Sequence, residues 1–169
     1  DALPIYSCAW LAREHSASQE TIVSALRLCG GAPGAAAQLL QADNLAPRQA
    51  LCQAVGQLPG HGDWLSLLTA LNHEQVAERL HWLATLLLDA LKVQQGATLL
   101  TNMDAIAVVR QLASQFNGER LQACLRAVVE CREQVMTVVG VNRELLLTDL
   151  LLRIERYLQP GAALPGQYF

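Results

Sequence analysis

The sequence predicts an all-α fold, with a small three-helix unit followed by a larger helical bundle. Ala, Leu, Gln and Arg are abundant, and alternating runs of β-branched and aromatic residues are nearly absent. Of the 169 residues, 52% are hydrophobic and 16% are charged, a composition typical of a folded chain and not of a disordered one. The length allows one core, or one core with a small satellite unit packed against it.

Three short helices are expected within residues 1–42. The first covers Tyr6 to Arg13, and the second begins after a cap at Ser16 or Ser18 and ends at Gly30-Gly31. Pro33 suits the first turn of the third helix, through Leu40, because its missing N–H would have no partner there. The second helix has an apolar face formed by Ile22, Val23, Leu26 and Cys29.

Three further helices are predicted in the middle of the chain, after a junction at Asp43-Asn44-Leu45-Ala46. Pro47 is expected to open a helix that runs to about Leu58. The loop 59–62 follows, and Asp63 would cap a helix from Trp64 to Leu71. Asn72 with Gln75 resembles a capping box, which starts a long helix that ends at Gln94-Gln95-Gly96.

Three amphipathic helices complete the predicted bundle. The first covers Asp104 to Phe116, and Asn117-Gly118 separates it from a second helix that covers Glu119 to about Val139. Asn142 caps the last helix, Arg143 to Leu158, whose leucines point nearly all the way around its axis. We expect this helix to be buried on several sides, by its own bundle and by a partner chain. A Gly- and Pro-containing tail begins at Pro160.

Charge and cysteine content narrow the class of protein. Twelve Lys and Arg against fifteen Asp and Glu give a net charge of -3, which disfavours autonomous nucleic-acid binding. The five cysteines are odd in number and include no Cys-x-x-Cys pair, so they are interpreted as reduced core thiols of a cytosolic protein. No apolar run is long enough to span a membrane, and no signal peptide is evident. The chain begins at Asp1 without methionine, so we expect it to be part of a longer polypeptide.

Motifs for nucleotide binding are missing. The single lysine, Lys92, follows Leu91, whereas a P-loop needs Gly-Lys-Ser/Thr to neutralise phosphate and to hold magnesium. The glycines 30, 31 and 34 do not follow a strand, as a dinucleotide-binding fingerprint requires. We therefore expect no cofactor and no ATP binding by these residues.

Metal-binding and catalytic patterns are also missing. His73-Glu74 lacks the second histidine of a helical zinc site, His81 lies eight residues away, and Cys124 and Cys131 fit core packing. No Gly-x-Ser-x-Gly elbow is present. Several carboxylates lie among arginines and are expected to form solvated ion pairs on helix surfaces: Asp89, Glu130, Glu133, Asp149 and Glu155. Residue chemistry alone predicts a helical interaction domain with no catalytic residue.

Two segments resemble the clamp-loader AAA+ proteins. Residues 26–36, LRLCGGAPGAA, are similar to the second-sensor region of the family's small helical lid domain. Residues 142–161 resemble the final helix and tail of a subunit of the bacterial DNA polymerase III clamp loader, of gamma-proteobacterial type. Shorter segments match the same subunit in the same order: Trp10-Leu11-Ala12-Arg13-Glu14, residues 71–75 and residues 79–86.

The resemblance implies an AAA+ lid at residues 1–42 and a collar domain for oligomerisation at 43–169. The family's ATPase-like domain, with its zinc site and arginine finger, would lie upstream. The implied partners are the other clamp-loader subunits, delta and the ATPase gamma/tau subunits, in a hetero-pentameric ring. The sliding clamp and primed DNA would be reached only through the whole complex, in the cytoplasm at the replication fork, with no membrane involved. The chain would be a non-catalytic part of the DNA polymerase III holoenzyme.

Gly34 departs from the pattern of the family's ATP-hydrolysing members. Those members carry an arginine at the matching lid position, where it reaches the γ-phosphate, and a glycine offers no cation. One interpretation is that the chain resembles a non-hydrolysing member of the ring. The other is that a glycine is simply tolerated in a first helical turn.

Partner identity is expected to be set by polar residues beside the leucines of the last helix. These residues are Arg143, Asp149, Arg153 and Arg156. The alternative location for the interface is the preceding helix, Glu119 to Val139. The alternative function is a helical ligand-binding or enzymatic bundle unrelated to replication, which would require buried polar groups that converge on one site.

Overall fold

The computed structural model describes residues 5–166, and this part of the chain is helical and contains no strand, which confirms the predicted all-α class. Residues 1–4 and 167–169, which the predicted domain bounds include, lie outside the described residues. The α-helices of the described part are α1 Ile5–Glu14, α2 Gln19–Leu28, α3 Pro33–Leu39, α4 Ala42–Gly56, α5 Leu68–Leu71, α6 Val76–Gln94, α7 Ile106–Gln115, α8 Gly118–Thr137 and α9 Arg143–Leu158. Two 3₁₀ turns, Trp64–Leu67 and Met103–Ala105, precede α5 and α7.

Helix α6 is the centre of the fold. It packs against α7 and α8 and also contacts α4, while α9 packs against α8 and the turn Trp64–Leu67. Helices α1 to α3, here called the N-terminal unit, pack on one another, and α2 rests on the turn Met103–Ala105. The buried apolar side chains form one continuous cluster that extends from Leu11 in α1 to Leu164 in the tail. The N-terminal unit therefore shares a core with α4 to α9, here called the C-terminal bundle.

The helix buried on most of its circumference is α6, and α9 is buried on one side only. Leu80 to Leu87 of α6 is buried at every position except His81, which is half-buried. In α9, Leu147, Leu150 and Ile154 are buried, whereas Leu145 and Leu152 face solvent. The expected burial of α9 by its own bundle is thus incomplete.

Several predicted helix ends are confirmed by hydrogen bonds. Ser18, Asn117 and Asn142 each accept a bond from the backbone N–H three residues later, so each caps the helix that follows. At the other end of α6, Gly96 has a φ of +75°, a left-handed conformation that glycine adopts without strain.

The predicted start of α4 is wrong. The helix begins at Ala42, so the expected junction Asp43–Ala46 is helical and Pro47 is the sixth residue of α4. Gln41 O accepts bonds from the N–H groups of Asn44 and Leu45, which closes the first turn ahead of the proline. Pro47 then removes only one donor near the helix start.

Two predicted caps are also wrong. Asp63 has a φ of +64° and makes no side-chain cap, and the N–H of Leu65 instead donates to Glu155 Oε1 at 3.2 Å. Helix α6 begins only at Val76, after Gln75 and without a side-chain cap, and Asn72 Oδ1 accepts a bond from Arg143 of α9 instead. In both cases a residue distant in sequence takes the place of the expected local partner.

Candidate functional site

The outward side of α8 and α9 carries both charged and apolar side chains. The two helices pack side by side and are joined by residues 138–142. Exposed apolar residues recur seven positions apart, Val129 and Met136 on α8 and Leu145 and Leu152 on α9, which places each pair on one side of its helix. The surface, here called the outer face, consists of these four residues with Glu130, Glu133, Asp149, Arg153 and Arg156.

Arg153 links the two helices within the outer face. Its Nη1 lies 3.9 Å from Glu130 Oε2 of α8, and its Nε lies 3.0 Å from Asp149 Oδ2 one turn earlier in α9. The Nε group is buried and has no partner in hydrogen-bonding geometry, so its attraction to Asp149 is coulombic. Arg153 is therefore partly engaged by its own chain, while Asp149 remains exposed.

The other two predicted interface residues differ in environment. Arg143 Nε donates to Asn72 Oδ1 at 2.7 Å, which ties the start of α9 to the loop before α6. Arg156 is exposed, and its guanidinium carbon lies 5.7 Å from the centroid of the Tyr157 ring. The structure thus leaves Asp149 and Arg156 outward and directs Arg143 toward its own chain. Sequence reasoning expected leucines of α9 to meet a partner chain, but it missed Val129 and Met136 of α8, although their spacing of seven was the available signal.

A second polar cluster lies in the interior, where the N-terminal unit meets the C-terminal bundle. Arg48 of α4 is buried, and its Nη1 donates to Asp104 Oδ2 at 2.5 Å. Its Nη2 donates to Asp104 Oδ1 at 2.9 Å and to Asn102 Oδ1 at 2.8 Å. This fork of charge-assisted bonds holds the turn Met103–Ala105 against α4.

Asp89 extends the cluster and corrects a prediction. It was expected on a helix surface, but it is fully buried and accepts bonds from the N–H of Thr101, at 3.0 Å, and of Asn102, at 2.7 Å. It also accepts a bond from Asn102 Nδ2 at 2.8 Å, and Lys92 Nζ lies 3.6 Å away. The loop after α6 folds back over the helix, so its buried amides need an acceptor, and Asp89 supplies one. We call Arg48, Asp89, Asn102 and Asp104 the junction network.

The N-terminal unit contacts the same region through α2. Ser24 Oγ accepts a bond from the Asp104 N–H at 3.1 Å, and Arg27 Nη1 donates to the carbonyl of Leu100. His81 Nε2 lies 3.3 Å from the carbonyl of Leu28. The buried polar groups that a ligand site would need therefore do converge here, but nearly all of them bond one another. Within the junction network, only Arg48 Nε lacks a hydrogen-bond partner.

Gly34 is the second residue of α3. A Cβ built there would meet no atom within 4 Å. The structure therefore does not require glycine at this position.

The cysteines within residues 5–166 are all free thiols. Burial raises the pKa of Cys124 to about 12, against a smaller opposing effect of Arg120. Burial likewise raises the pKa of Cys131 to about 11, with Arg153 lowering it and Asp149 raising it. Cys8 and Cys29 are only half-buried, contrary to the expectation of five core thiols.

The histidines of α6 and the loop before it are far from metal-binding geometry. His73 is exposed and its Nδ1 accepts a bond from the Gln75 N–H, while His81 faces α2. In the described part of the chain, no group of three His, Cys, Asp or Glu side chains could hold a metal ion. Across the same residues, every helix is too short or too polar to cross a bilayer.

The three-helix unit joined to a larger helical bundle is consistent with the lid and C-terminal domains of an AAA+ clamp-loader subunit, and comparison with known sequences gives the class and the family. Residues 42–156 match the profile of the C-terminal region of the DNA polymerase III delta subunit, and the chain belongs to that family. Residues 5–41 match the AAA+ ATPase lid domain of DNA polymerase III subunit delta'. The resemblance seen in the sequence is confirmed.

Individual relatives agree with this assignment. The chain is similar to DNA polymerase III subunit delta' of Escherichia coli strain K12, with 56% identity over 160 residues, 95% of this chain and 48% of the relative. It is also similar to DNA polymerase III subunit delta' of Yersinia pestis, with 44% identity over 153 residues. The matched residues make up 90% of this chain and 45% of that relative. The chain spans about half the length of these curated relatives.

Proposed function

We propose that the chain is the non-catalytic, ring-assembling part of a clamp-loader subunit. It would join delta and the ATPase gamma/tau subunits in a hetero-pentameric ring, which loads the sliding clamp on primed DNA in the cytoplasm at the replication fork. The observation that carries this proposal is the similarity to delta' subunits over nearly the whole chain. The alternative, a helical ligand-binding or enzymatic bundle, is not favoured, because the buried polar groups bond one another.

The outer face is our proposed site of assembly. It combines exposed apolar side chains with charged ones, as the centre and rim of a protein interface do. Asp149 and Arg156 are exposed and can pair with a neighbouring subunit, whereas Arg143 and Arg153 are already partly engaged by their own chain. Partner choice would therefore depend more on Asp149 and Arg156 than on the other two residues.

The decisive experiment is assembly of the full-length protein with the other clamp-loader subunits at physiological salt. Arg153→Glu combined with Arg156→Glu should weaken capture of the partners in a pull-down, because both changes reverse charge on the outer face. Arg110→Glu is the matched control, since Arg110 is an exposed arginine on α7. Unchanged capture by the double variant would move the interface to another surface. Failure of the unaltered protein to capture any subunit would overturn the proposed function itself.

We also propose that the chain is divided near residue 42, with the N-terminal unit the less stable part. A unit of three short helices buries little apolar surface by itself, so it depends on its contacts with the turn Met103–Ala105. Limited proteolysis should cut first within 1–42 and leave 43–169 as a resistant core. First cleavage within 73–92, in and just before α6, would contradict this division.

A further inference from the structure

The end of the outer face where α8 and α9 meet is apolar. Val139 is 98% exposed, and Met136, Val138 and Leu145 are 61%, 51% and 66% exposed. We call these four residues the hairpin tip. They lie in the last turn of α8, the connecting loop and the first turn of α9, so they are neighbours in the fold. Clusters of exposed apolar side chains of this kind mark interaction sites on soluble proteins.

The hairpin tip is held by hydrogen bonds on both sides. The N–H of Val138 donates to Gln134 O at 3.0 Å, and Asn142 Oδ1 accepts from the N–H of Leu145 at 3.1 Å. Gly140, with a φ of +77°, makes the turn between them. The apolar side chains are thus presented on an ordered backbone, and binding would cost little further ordering.

The surroundings of the hairpin tip are acidic. Glu133 and Glu144 are exposed on its two sides, and the last turn of α8 contains no basic residue to offset the negative end of the helix dipole. The nearest arginines in sequence point into the chain: Arg132 Nε donates to Ala77 O, and Arg143 Nε donates to Asn72. The rim therefore presents two carboxylates and the negative end of the α8 dipole.

We propose that the hairpin tip is the anchor for a neighbouring protein subunit that offers an apolar pocket edged by lysine or arginine. The proposal rests on the proposed function, because the partner is taken to be another clamp-loader subunit. Charge complementarity selects this occupant. A second copy of the chain would bring two acidic rims together, and nucleic acid or an anionic lipid surface would be repelled.

The test measures the affinity of the full-length protein for the purified delta and gamma/tau subunits. Val139→Asp places a charge at the most exposed apolar position and should weaken binding at least about tenfold. Leu99→Asp is the matched control, because Leu99 is 51% exposed in the loop after α6, away from the tip. Both variants should melt at the temperature of the unaltered protein, since neither side chain belongs to the core.

A second variant tests the chemistry of the partner. Glu144→Lys reverses one rim charge and should weaken binding about tenfold at low salt and less at high salt, because salt screens exposed charges.

An effect of Val139→Asp no larger than that of Leu99→Asp would overturn the anchor while leaving the proposed function intact. A dimer of the unaltered chain that Val139→Asp makes monomeric would make a second copy the occupant and would equally overturn the proposal. Absence of binding by the unaltered protein would instead reject the proposed function, and this inference with it.

Discussion

The junction network and the outer face contain the same kinds of charged pair in opposite surroundings. Arg48 is buried and makes two bonds of 2.5 and 2.9 Å to the largely buried side chain of Asp104, with Asn102 as a further acceptor. Arg153 lies 3.0 Å from Asp149 and 3.9 Å from Glu130, at a surface where both carboxylates are exposed. The interior pair fixes how the chain folds on itself, whereas the exterior pair leaves charge available to another molecule.

This difference shows that burial decides what an arginine–carboxylate pair does. A buried charge that loses its partner cannot recover its hydration, so the pair is strongly coupled to folding. An exposed pair is solvated before and after a substitution, and contributes little to stability. Substitutions should therefore separate the two clusters by the size of their effect on unfolding.

The largest effect is expected from Asp104→Ala. The change leaves the buried Arg48 guanidinium without its carboxylate and should lower the free energy of unfolding by about 3–5 kcal/mol. Urea denaturation followed by circular dichroism measures it. Adding Arg48→Met, which removes the stranded charge, should recover part of the loss. If Asp104→Ala lowers the free energy of unfolding by less than about 1 kcal/mol, the junction network is no more important for folding than the outer face.

A core leucine of α9 provides a reference for packing without charge. Leu150 is fully buried, so Leu150→Ala should cost about 2–5 kcal/mol through lost contacts and the cavity that remains. The same denaturation experiment applies, and Leu152→Ala, at an exposed position of the same helix, is the control with an effect within about 0.5 kcal/mol. Equal losses at the two positions would show that α9 is packed differently from the structure.

The pH dependence of stability tests the interior near Cys124. Its pKa of about 12 in the fold exceeds the ordinary value of 9.0, so the thiol is protonated in both states below pH 9. Above pH 9 the unfolded chain loses this proton first, and stability falls by about 1.4 kcal/mol per pH unit until the folded pKa is approached. Cys124→Ala should reduce this fall between pH 9 and pH 11, and Cys8→Ala, at a half-buried position of α1, is the control. If stability falls equally steeply with pH in the two variants, the raised pKa of Cys124 is contradicted.

The smallest effect is expected from Arg153→Glu. Its ion pairs lie at the surface, so the isolated chain should lose less than about 1 kcal/mol of unfolding free energy. Thermal melting measures this loss beside Asp104→Ala. A loss as large as that of Asp104→Ala would mean that Arg153, like Arg48, belongs to the folding interior.

Helices were predictable from the sequence where the signals were local. Ser18, Asn117 and Asn142 each bond an amide three residues away, so a cap and an apolar period were enough to locate α2, α8 and α9. The start of α4 was predicted wrongly from Pro47, because a proline that suits the first turn of a helix is also tolerated at the sixth position of α4. Local sequence does not distinguish the two cases.

Long-range partners explain what the sequence did not predict. Asn72 is bonded by Arg143, seventy-one positions later, and Asp89 is buried under a loop whose path follows from tertiary packing. Asp149 and Arg156 are exposed on α9, as an interface role would require, but the contacts of Arg143 could be seen only in the folded chain. The position of the assembly surface itself remains a prediction.

The bond from the Leu65 N–H to Glu155 joins positions ninety residues apart. Because the turn Trp64–Leu67 and α5 both pack against α9, this central segment obtains its neighbours from an element near the far end of the chain. During synthesis on the ribosome, residues 64–71 would emerge before α9 and could not form their native contacts until α9 has also emerged. The buried indole of Trp64 should consequently reach its native fluorescence only after α9 has left the exit tunnel, late in translation.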